Sequence, residues 1–120
     1  MMASEQTAKS TGENCFPLLI GGSSLASGWT EHRMAPKSCA KLRCLQCDKK
    51  IVRFDNNVRW SSKVDYIFVR NYNTYPEKLK DGLEKADGYA SYACQCKWIS
   101  VNEQTKLEDL DHLKWHCAGH

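Results

Sequence analysis

Two short cysteine and histidine spacings in this sequence match those of metal-binding sites. Cys44 and Cys47 stand two residues apart in the string KLRCLQCDKK, and Cys117 and His120 have the same spacing in CAGH. A structural zinc ion takes four cysteine or histidine ligands. The two pairs together therefore predict one zinc site with Cys44, Cys47, Cys117 and His120 as its ligands. Such a site would cross-link distant parts of a small chain.

Other interpretations of the cysteines stay open. A CxxC pair is also typical of a redox-active dithiol, which needs a strand before it and a helix after it, whereas here a strand is expected to follow. Buried, unreactive thiols are the third interpretation.

Cys94 and Cys96 are the alternate ligands. Side chains at i and i+2 of a regular strand lie roughly 6.5 to 7 Å apart, but thiolates on one zinc lie about 4 Å apart. At most one of the two is expected to bind unless the strand is bulged, and both are otherwise core residues. Cys15 and Cys39 have no partner at ligand spacing and are expected to be ordinary thiols.

Apolar periodicity and turn residues predict the elements that position these pairs. Residues 50–54 and 58–60 flank Asp-Asn-Asn and predict a hairpin, and the apolar run 64–69 predicts a buried strand. Pro76 and Glu77 open the one main helix, which continues through Leu83 to Gly88. Residues 89–99 and 113–117 predict further strands. The fold class is therefore α+β, a small antiparallel-sheet domain with zinc-ribbon-like knuckles.

Composition bounds the class of protein. The 120 residues carry a net charge of +3 and seven cysteines, and an odd cysteine count excludes a complete set of internal disulfides. No apolar run reaches the roughly 18 to 20 residues of a membrane-spanning helix, and no signal peptide is evident, so the cytoplasm is the expected compartment. We expect residues 1–14 to be a disordered tail, residues 15–37 an ordered loop laid over the domain, and residues 15–120 one globular domain.

Basic residues cluster around the CLQC motif, with aromatic residues among them. They predict a surface for an acidic protein segment or for anionic lipid. The alternatives are a solvated basic face and a zinc-ribbon-like nucleic-acid-binding domain. The residues are Arg43, Lys49, Lys50, Arg53 and Arg59.

Several unusual strings in this sequence occur in the order that one known family shows. CFPLLIGGSS, LRCLQCD, VDYIFVRN, YACQCKW and LKWHCAGH resemble the retinal-maintenance family, whose members are also called cilia- and flagella-associated proteins and are linked in humans to cone-rod dystrophy and a Bardet–Biedl-type ciliopathy. The resemblance runs from about Cys15 to His120. Members of that family carry a longer polar segment before the position of Cys15.

The resemblance implies a non-enzymatic protein of the cytoplasm and ciliary base, which maintains photoreceptors through the organisation of outer-segment membranes. It implies ciliary protein partners and binding to anionic lipid, without specific nucleic-acid binding or a transmembrane segment. It also places Cys44, Cys47, Cys94, Cys96, Cys117 and His120 in characteristic strings of the family.

Overall fold

The computed structural model describes residues 14–31 and 35–120. The described chain folds into eleven short strands and two short α-helices. The strands are β1 (Leu19–Ile20), β2 (Ser27–Gly28), β3 (Ser38–Cys39), β4 (Leu42–Cys44), β5 (Val52–Phe54), β6 (Val58–Trp60), β7 (Leu83–Lys85), β8 (Ala90–Ala93), β9 (Trp98–Val101), β10 (Thr105–Lys106) and β11 (Trp115–Cys117). The helices are α1 (Tyr66–Tyr72) and α2 (Pro76–Leu79), and 3-10 helices span Lys80–Gly82 and Leu107–Asp109.

Antiparallel pairing dominates the sheets, which confirms the predicted α+β class with small antiparallel sheets. The largest sheet has the order β5-β8-β9, and β4 pairs with β11, β6 with β7 and β1 with β10. Within the described ranges only β2 and β3 pair in parallel. The predicted tail 1–14 lies outside the described residues except for Asn14.

The core lies beneath β8, whose four residues are all buried. Tyr92 of β8 is almost fully buried and contacts the ring of Trp115, with ring centroids 6.5 Å apart. Its hydroxyl donates to the carbonyl of Gly21 at 2.8 Å and accepts from the N–H of Gly21 at 3.1 Å. The same hydroxyl lies 2.8 Å from that of Ser38. One buried phenol therefore fastens the glycine- and serine-rich N-terminal segment over the sheet. The segment was expected to be a loop, but it contains the short strands β1 and β2.

Two predicted strand arrangements between residues 50 and 69 are wrong. Residues 50–54 and 58–60 do not form a hairpin with each other, because β5 pairs with β8 and β6 pairs with β7. The apolar run 64–69 is not a strand, since α1 begins directly after Asp65, whose carboxylate accepts from the N–H of Phe68 at 2.9 Å. This N-cap supports a helix where the apolar composition alone favoured a strand.

The predicted main helix begins at Pro76 but is shorter than its periodicity indicated. It changes to a 3-10 turn at Lys80 and gives way to β7 at Leu83. Gly82 lies against Val64 and Phe68, so closely that a Cβ there would fall 2.7 Å from a Val64 methyl. This contact packs the end of the short helix against α1, and β7 then continues in the direction that pairs it with β6.

Candidate metal centres

Four cysteines from two hairpin tips converge at the end of the β5-β8-β9 sheet. Cys44 is the last residue of β4 and Cys47 lies in the turn after it, and Cys94 and Cys96 belong to the turn that joins β8 to β9. All four sulfurs lie within 4.8 Å of one another. The Cys44 and Cys96 sulfurs are 3.8 Å apart and those of Cys94 and Cys96 are 3.7 Å apart. A zinc ion with Zn–S bonds near 2.3 Å in a tetrahedron separates its sulfurs by about 3.8 Å.

Backbone N–H groups support the sulfurs of this four-cysteine group in two matching turns. The N–H groups of Gln46 and Cys47 point at the Cys44 sulfur, at 3.3 and 3.4 Å. Those of Cys96 and Lys97 point at the Cys94 sulfur, at 3.4 and 3.3 Å. Because N–H donors favour a charged acceptor, these turns suit metal-bound thiolates.

The turn also explains why Cys94 and Cys96 converge despite their spacing. The single strand predicted over residues 89–99 is wrong, because β8 ends at Ala93 and β9 begins at Trp98. Cys94 therefore leaves the strand, and the chain folds around its sulfur. The expectation that at most one of the two cysteines binds assumed a regular strand, and that condition does not hold here.

A second group joins residues from three separate stretches of the described chain: Cys15, Cys39, and the pair Cys117 and His120. Their donor atoms also lie within 4.8 Å of one another. His120 Nε2 is 3.3 Å from the Cys15 sulfur and 3.7 Å from the Cys39 sulfur. A tetrahedral zinc with Zn–N near 2.05 Å would place these atoms about 3.6 Å apart.

The three-cysteine-histidine group has its own backbone donors. The N–H of Thr30 lies 3.3 Å from the Cys15 sulfur, that of Lys41 lies 3.4 Å from the Cys39 sulfur, and that of Cys15 lies 3.4 Å from the Cys117 sulfur.

The thiol pKa values of the four-cysteine group are shifted in opposite directions. Burial raises the pKa of Cys94 and of Cys96, where the neighbouring Cys94 thiol raises it further. Burial also acts to raise the pKa of Cys47, but hydrogen bonds from the Gln95 and Lys49 backbone outweigh it and lower that pKa to about 7. One thiol of the group is thus prepared for ionisation before any metal binds.

In the second group, the pKa shifts of Cys15, Cys39 and His120 all favour the neutral side chain. Burial raises the pKa of Cys15 and of Cys39, with a contribution from the nearby Cys117. Burial and the charge of Lys41 lower the pKa of His120. A neutral imidazole is the form that binds a metal, whereas the thiols must lose protons when one binds.

The structure groups the predicted ligands differently from the sequence interpretation. Cys44 and Cys47 lie with Cys94 and Cys96, while Cys117 and His120 lie in the other group. The reason is strand register: β4 and β11 are neighbours, but Cys44 stands opposite Trp115 and Cys117 stands opposite Leu42.

Cys15 and Cys39, which were expected to be ordinary thiols, both belong to the second group. Each is a single cysteine without a spaced partner, so spacing gave no signal. The number of cysteines does give a signal, because the seven cysteines and His120 together make up two sets of four ligands. The residues present could therefore hold two metal ions.

The predicted basic surface is smaller than the sequence indicated. The Arg53 side chain is only 12% exposed and donates to the carbonyls of Gly22 at 3.0 Å and Leu25 at 2.7 Å. Its guanidinium also lies 5.4 Å from the ring centre of Tyr92. Arg53 therefore fastens the N-terminal segment and is not available as part of a binding surface.

Two further arginines of the predicted surface are paired with acids. Arg43 contacts Asp48 at 3.0 Å, and Arg59 contacts Glu84 at 2.7 Å. Lys49 and Lys50 are exposed and form no salt bridge with any described residue. Two unpaired lysines thus remain of the five predicted basic residues.

An apolar groove of about 750 Å³ runs beside the second group. Its lining includes Cys15, Phe16, Pro17 and Leu18 from the N-terminal segment, and Leu107, Leu110, Leu113 and Trp115 from the C-terminal part of the chain. Phe16 is 72% exposed and Leu45, also on the groove, is 67% exposed. The charged residues on its rim balance: they are Lys106, Glu108, Asp111 and Lys114.

No helix in the described part of the chain is long and apolar enough to cross a membrane.

Comparison with known proteins gives one consistent result. The chain matches the sequence model of a family described as Retinal Maintenance over residues 1–120. It is 38% identical over 114 residues to Cilia- and flagella-associated protein 418 of Danio rerio, covering 95% of this chain and 55% of that protein. The proteins of the same name from Bos taurus and Homo sapiens are 39% and 38% identical over 109 residues, covering 91% of this chain and 52% of each relative. The chain thus spans about half the length of these relatives, and no solved structure matches it.

Proposed function

Because this chain belongs to the retinal maintenance family, we propose that it is a non-enzymatic interaction module of a ciliary protein. It acts at the ciliary base, on the cytoplasmic side, in the organisation of cilium or photoreceptor outer-segment membranes. The names of its relatives support the ciliary setting. The chain covers about half of those relatives, so the proposal assigns it a binding role within a larger activity.

The apolar groove is the observation that carries the interaction role. Its walls are aliphatic and aromatic, and two large side chains, Phe16 and Leu45, stand open to solvent beside it. Exposed apolar surface framed by polar residues is typical of protein–protein contact sites. The occupant we propose is a ciliary protein segment with bulky apolar anchors and flanking charges of both signs, because the rim carries two lysines and two acids.

The charge distribution disfavours the nucleic-acid alternative. A nucleic-acid site needs a contiguous run of unpaired basic residues along a groove. Arg53 is inside the fold and the groove rim is balanced, so Lys49 and Lys50 are left as a small separate patch. That patch makes anionic lipid a weaker partner in this proposal than a protein segment.

The environment of the thiols disfavours an enzyme. Cys15 and His120 are 3.3 Å apart, a pairing that nucleophilic-cysteine enzymes use. However, burial raises the pKa of Cys15, whereas a catalytic thiol requires a lowered one. Two further sulfurs converge on the same point, which suits a closed metal site better than an open nucleophile.

The rigid support for the groove, in this proposal, is a structural zinc held by Cys44, Cys47, Cys94 and Cys96. A four-thiolate set with sulfurs about 3.8 Å apart suits zinc, and the measured separations of 3.7 and 3.8 Å agree. Bound there, the metal would tie the β4 turn to the β8–β9 turn. Elemental analysis of the purified chain before and after chelation tests this point.

The groove is tested with charge substitutions at exposed residues, which should leave folding intact. Two variants, Phe16→Asp and Leu45→Asp, are each fused to a proximity-labelling enzyme and expressed in ciliated cells. Ile67→Asp is the matched control, since Ile67 is 66% exposed and lies on α1, away from the groove lining. Loss of one buried anchor of about 2 kcal/mol weakens binding more than tenfold, so labelling of ciliary proteins should collapse for the groove variants alone.

Equal labelling by all three variants would overturn the groove proposal. Direct binding to acidic liposomes or to nucleic acid is measured with the same proteins. The double variant Lys49→Glu and Lys50→Glu could abolish this binding while Phe16→Asp leaves it intact. That result would assign the function to the lysine patch and not to the groove.

A further inference from the structure

We propose that Cys15, Cys39, Cys117 and His120 form a second zinc site, separate from the four-cysteine group. The site does not depend on the proposed interaction role. It follows from four donors of the right chemistry converging from three stretches that are distant in sequence.

The donor set is one of the usual structural zinc sets, three cysteines and one histidine. All three thiols are free. The distances from His120 Nε2 to two of the sulfurs, 3.3 and 3.7 Å, bracket the value of about 3.6 Å expected around tetrahedral zinc.

The backbone at the C-terminal end is shaped to bring His120 back towards the sulfurs. Gly119 has a φ of +100°, a conformation that a residue with a side chain rarely adopts. The N–H of Ala118 donates to the Lys41 carbonyl at 2.7 Å, which fixes the chain just before this turn. Trp29 then lies over the imidazole, with ring centroids 6.0 Å apart and planes inclined by 22°.

Two of the remaining ligands lie at the ends of strands. Cys39 is the last residue of β3 and Cys117 is the last residue of β11. Cys15 adjoins Phe16, whose N–H donates to the Thr30 carbonyl at 2.8 Å. A metal here would join the N-terminal segment to the C-terminal strand, and it would fix the part of the groove lining that Cys15 and Phe16 supply.

Zinc content and cobalt spectra of the full chain test the proposal. The protein is purified under reducing conditions, chelated, reloaded with zinc or Co²⁺, and checked for folding by circular dichroism. The wild type should bind two ions. His120→Ala should bind one, and His120→Cys should regain the second with a cobalt spectrum closer to that of four thiolates. His116→Ala is the matched control, because His116 lies in β11 outside both groups, and it should bind two ions.

Each contrary outcome has a definite meaning. A wild type that binds one ion, with no loss in His120→Ala, overturns the second site. A disulfide among Cys15, Cys39 and Cys117 in metal-loaded protein also overturns it. One ion that survives Cys94→Ser but is lost in His120→Ala supports this site and overturns the four-cysteine site instead.

Discussion

The two ligand groups are assembled in different ways. The four-cysteine group takes two local pairs, CLQC and CQC, each folded into a tight turn whose backbone donors already point at a sulfur. The three-cysteine-histidine group takes two single cysteines and one local pair. A local pair brings half of a site into place with a few residues, whereas single ligands are brought together only by the completed fold.

The groups also differ in what they hold together. The four-cysteine group joins turns next to the buried strand β8. The second group brings Cys15 and Cys39 to the end of β11, and its histidine is more exposed than its cysteines. If both bind zinc, removing the first metal should affect the whole fold, and removing the second should release mainly the N-terminal segment.

The largest expected effect is that of Cys94→Ser. Structural zinc contributes about 10–16 kcal/mol in zinc-finger peptides, and the whole stability of a domain is about 5–15 kcal/mol. We therefore expect this variant to lose its cooperative unfolding transition together with bound metal. Thermal unfolding followed by circular dichroism, combined with zinc analysis, measures both. An undiminished transition in a metal-free protein would exclude the stabilising role.

Cys39→Ser should have a smaller and more local effect. Losing a native disulfide from a small domain costs roughly 2–5 kcal/mol, and we expect a loss of similar size here because this group joins one segment to the fold. The sheets should therefore still unfold cooperatively, at a lower temperature. Limited tryptic cleavage after Lys37 should accelerate, because Lys37 is otherwise held by Thr30 at 2.7 and 2.8 Å. Cleavage after Lys63, which lies near α1, serves as the internal control. Equal acceleration at both sites would mean that the second group also supports the whole fold.

Local chemistry made part of this arrangement predictable from sequence. The spacings of CLQC and CAGH identified both spaced pairs as candidate ligands, and Pro76 marked the start of a helix correctly. The spacings could not show which cysteine or histidine pair belongs to which metal site. That assignment depends on the register of β4 with β11 and on the course of the chain after β8.

Non-local contacts explain the other misassignments as well. The residues around Asp55-Asn56-Asn57 have hairpin propensity, yet each flanking strand finds a partner more than 20 residues away. Arg53 was predicted to lie on the surface, because no residue near it in the sequence indicates that the carbonyls of Gly22 and Leu25 will lie beside it. The clustering of basic residues in the sequence therefore predicted a larger basic surface than the structure has.

Arg53→Gln tests whether metal alone holds the N-terminal segment. The variant loses two hydrogen bonds from a charged donor, so we expect a loss of about 2–4 kcal/mol in the free energy of unfolding. Zinc content should not change, since Arg53 belongs to neither group. Arg59→Gln, which removes an exposed ion pair, is the control and should change stability far less. Loss of a zinc ion from Arg53→Gln would show that the second site needs this anchor.

The smallest effect concerns reactivity in metal-free protein that circular dichroism shows to be still folded. Cys47 has a pKa of about 7, against an ordinary value of 9.0, so about half of it is thiolate at pH 7 while an unshifted thiol is about 1% ionised. Burial raises the pKa of Cys15 and Cys39, which should stay protonated. Iodoacetamide should therefore modify Cys47 first, with a rate that rises through pH 7 and then levels off. Mass spectrometry of tryptic peptides measures the order of alkylation, and earlier modification of Cys15 or Cys39 would reverse the contrast between the two groups. Zinc loading should protect Cys47, because a sulfur bound to the metal is a poorer nucleophile than the free thiolate.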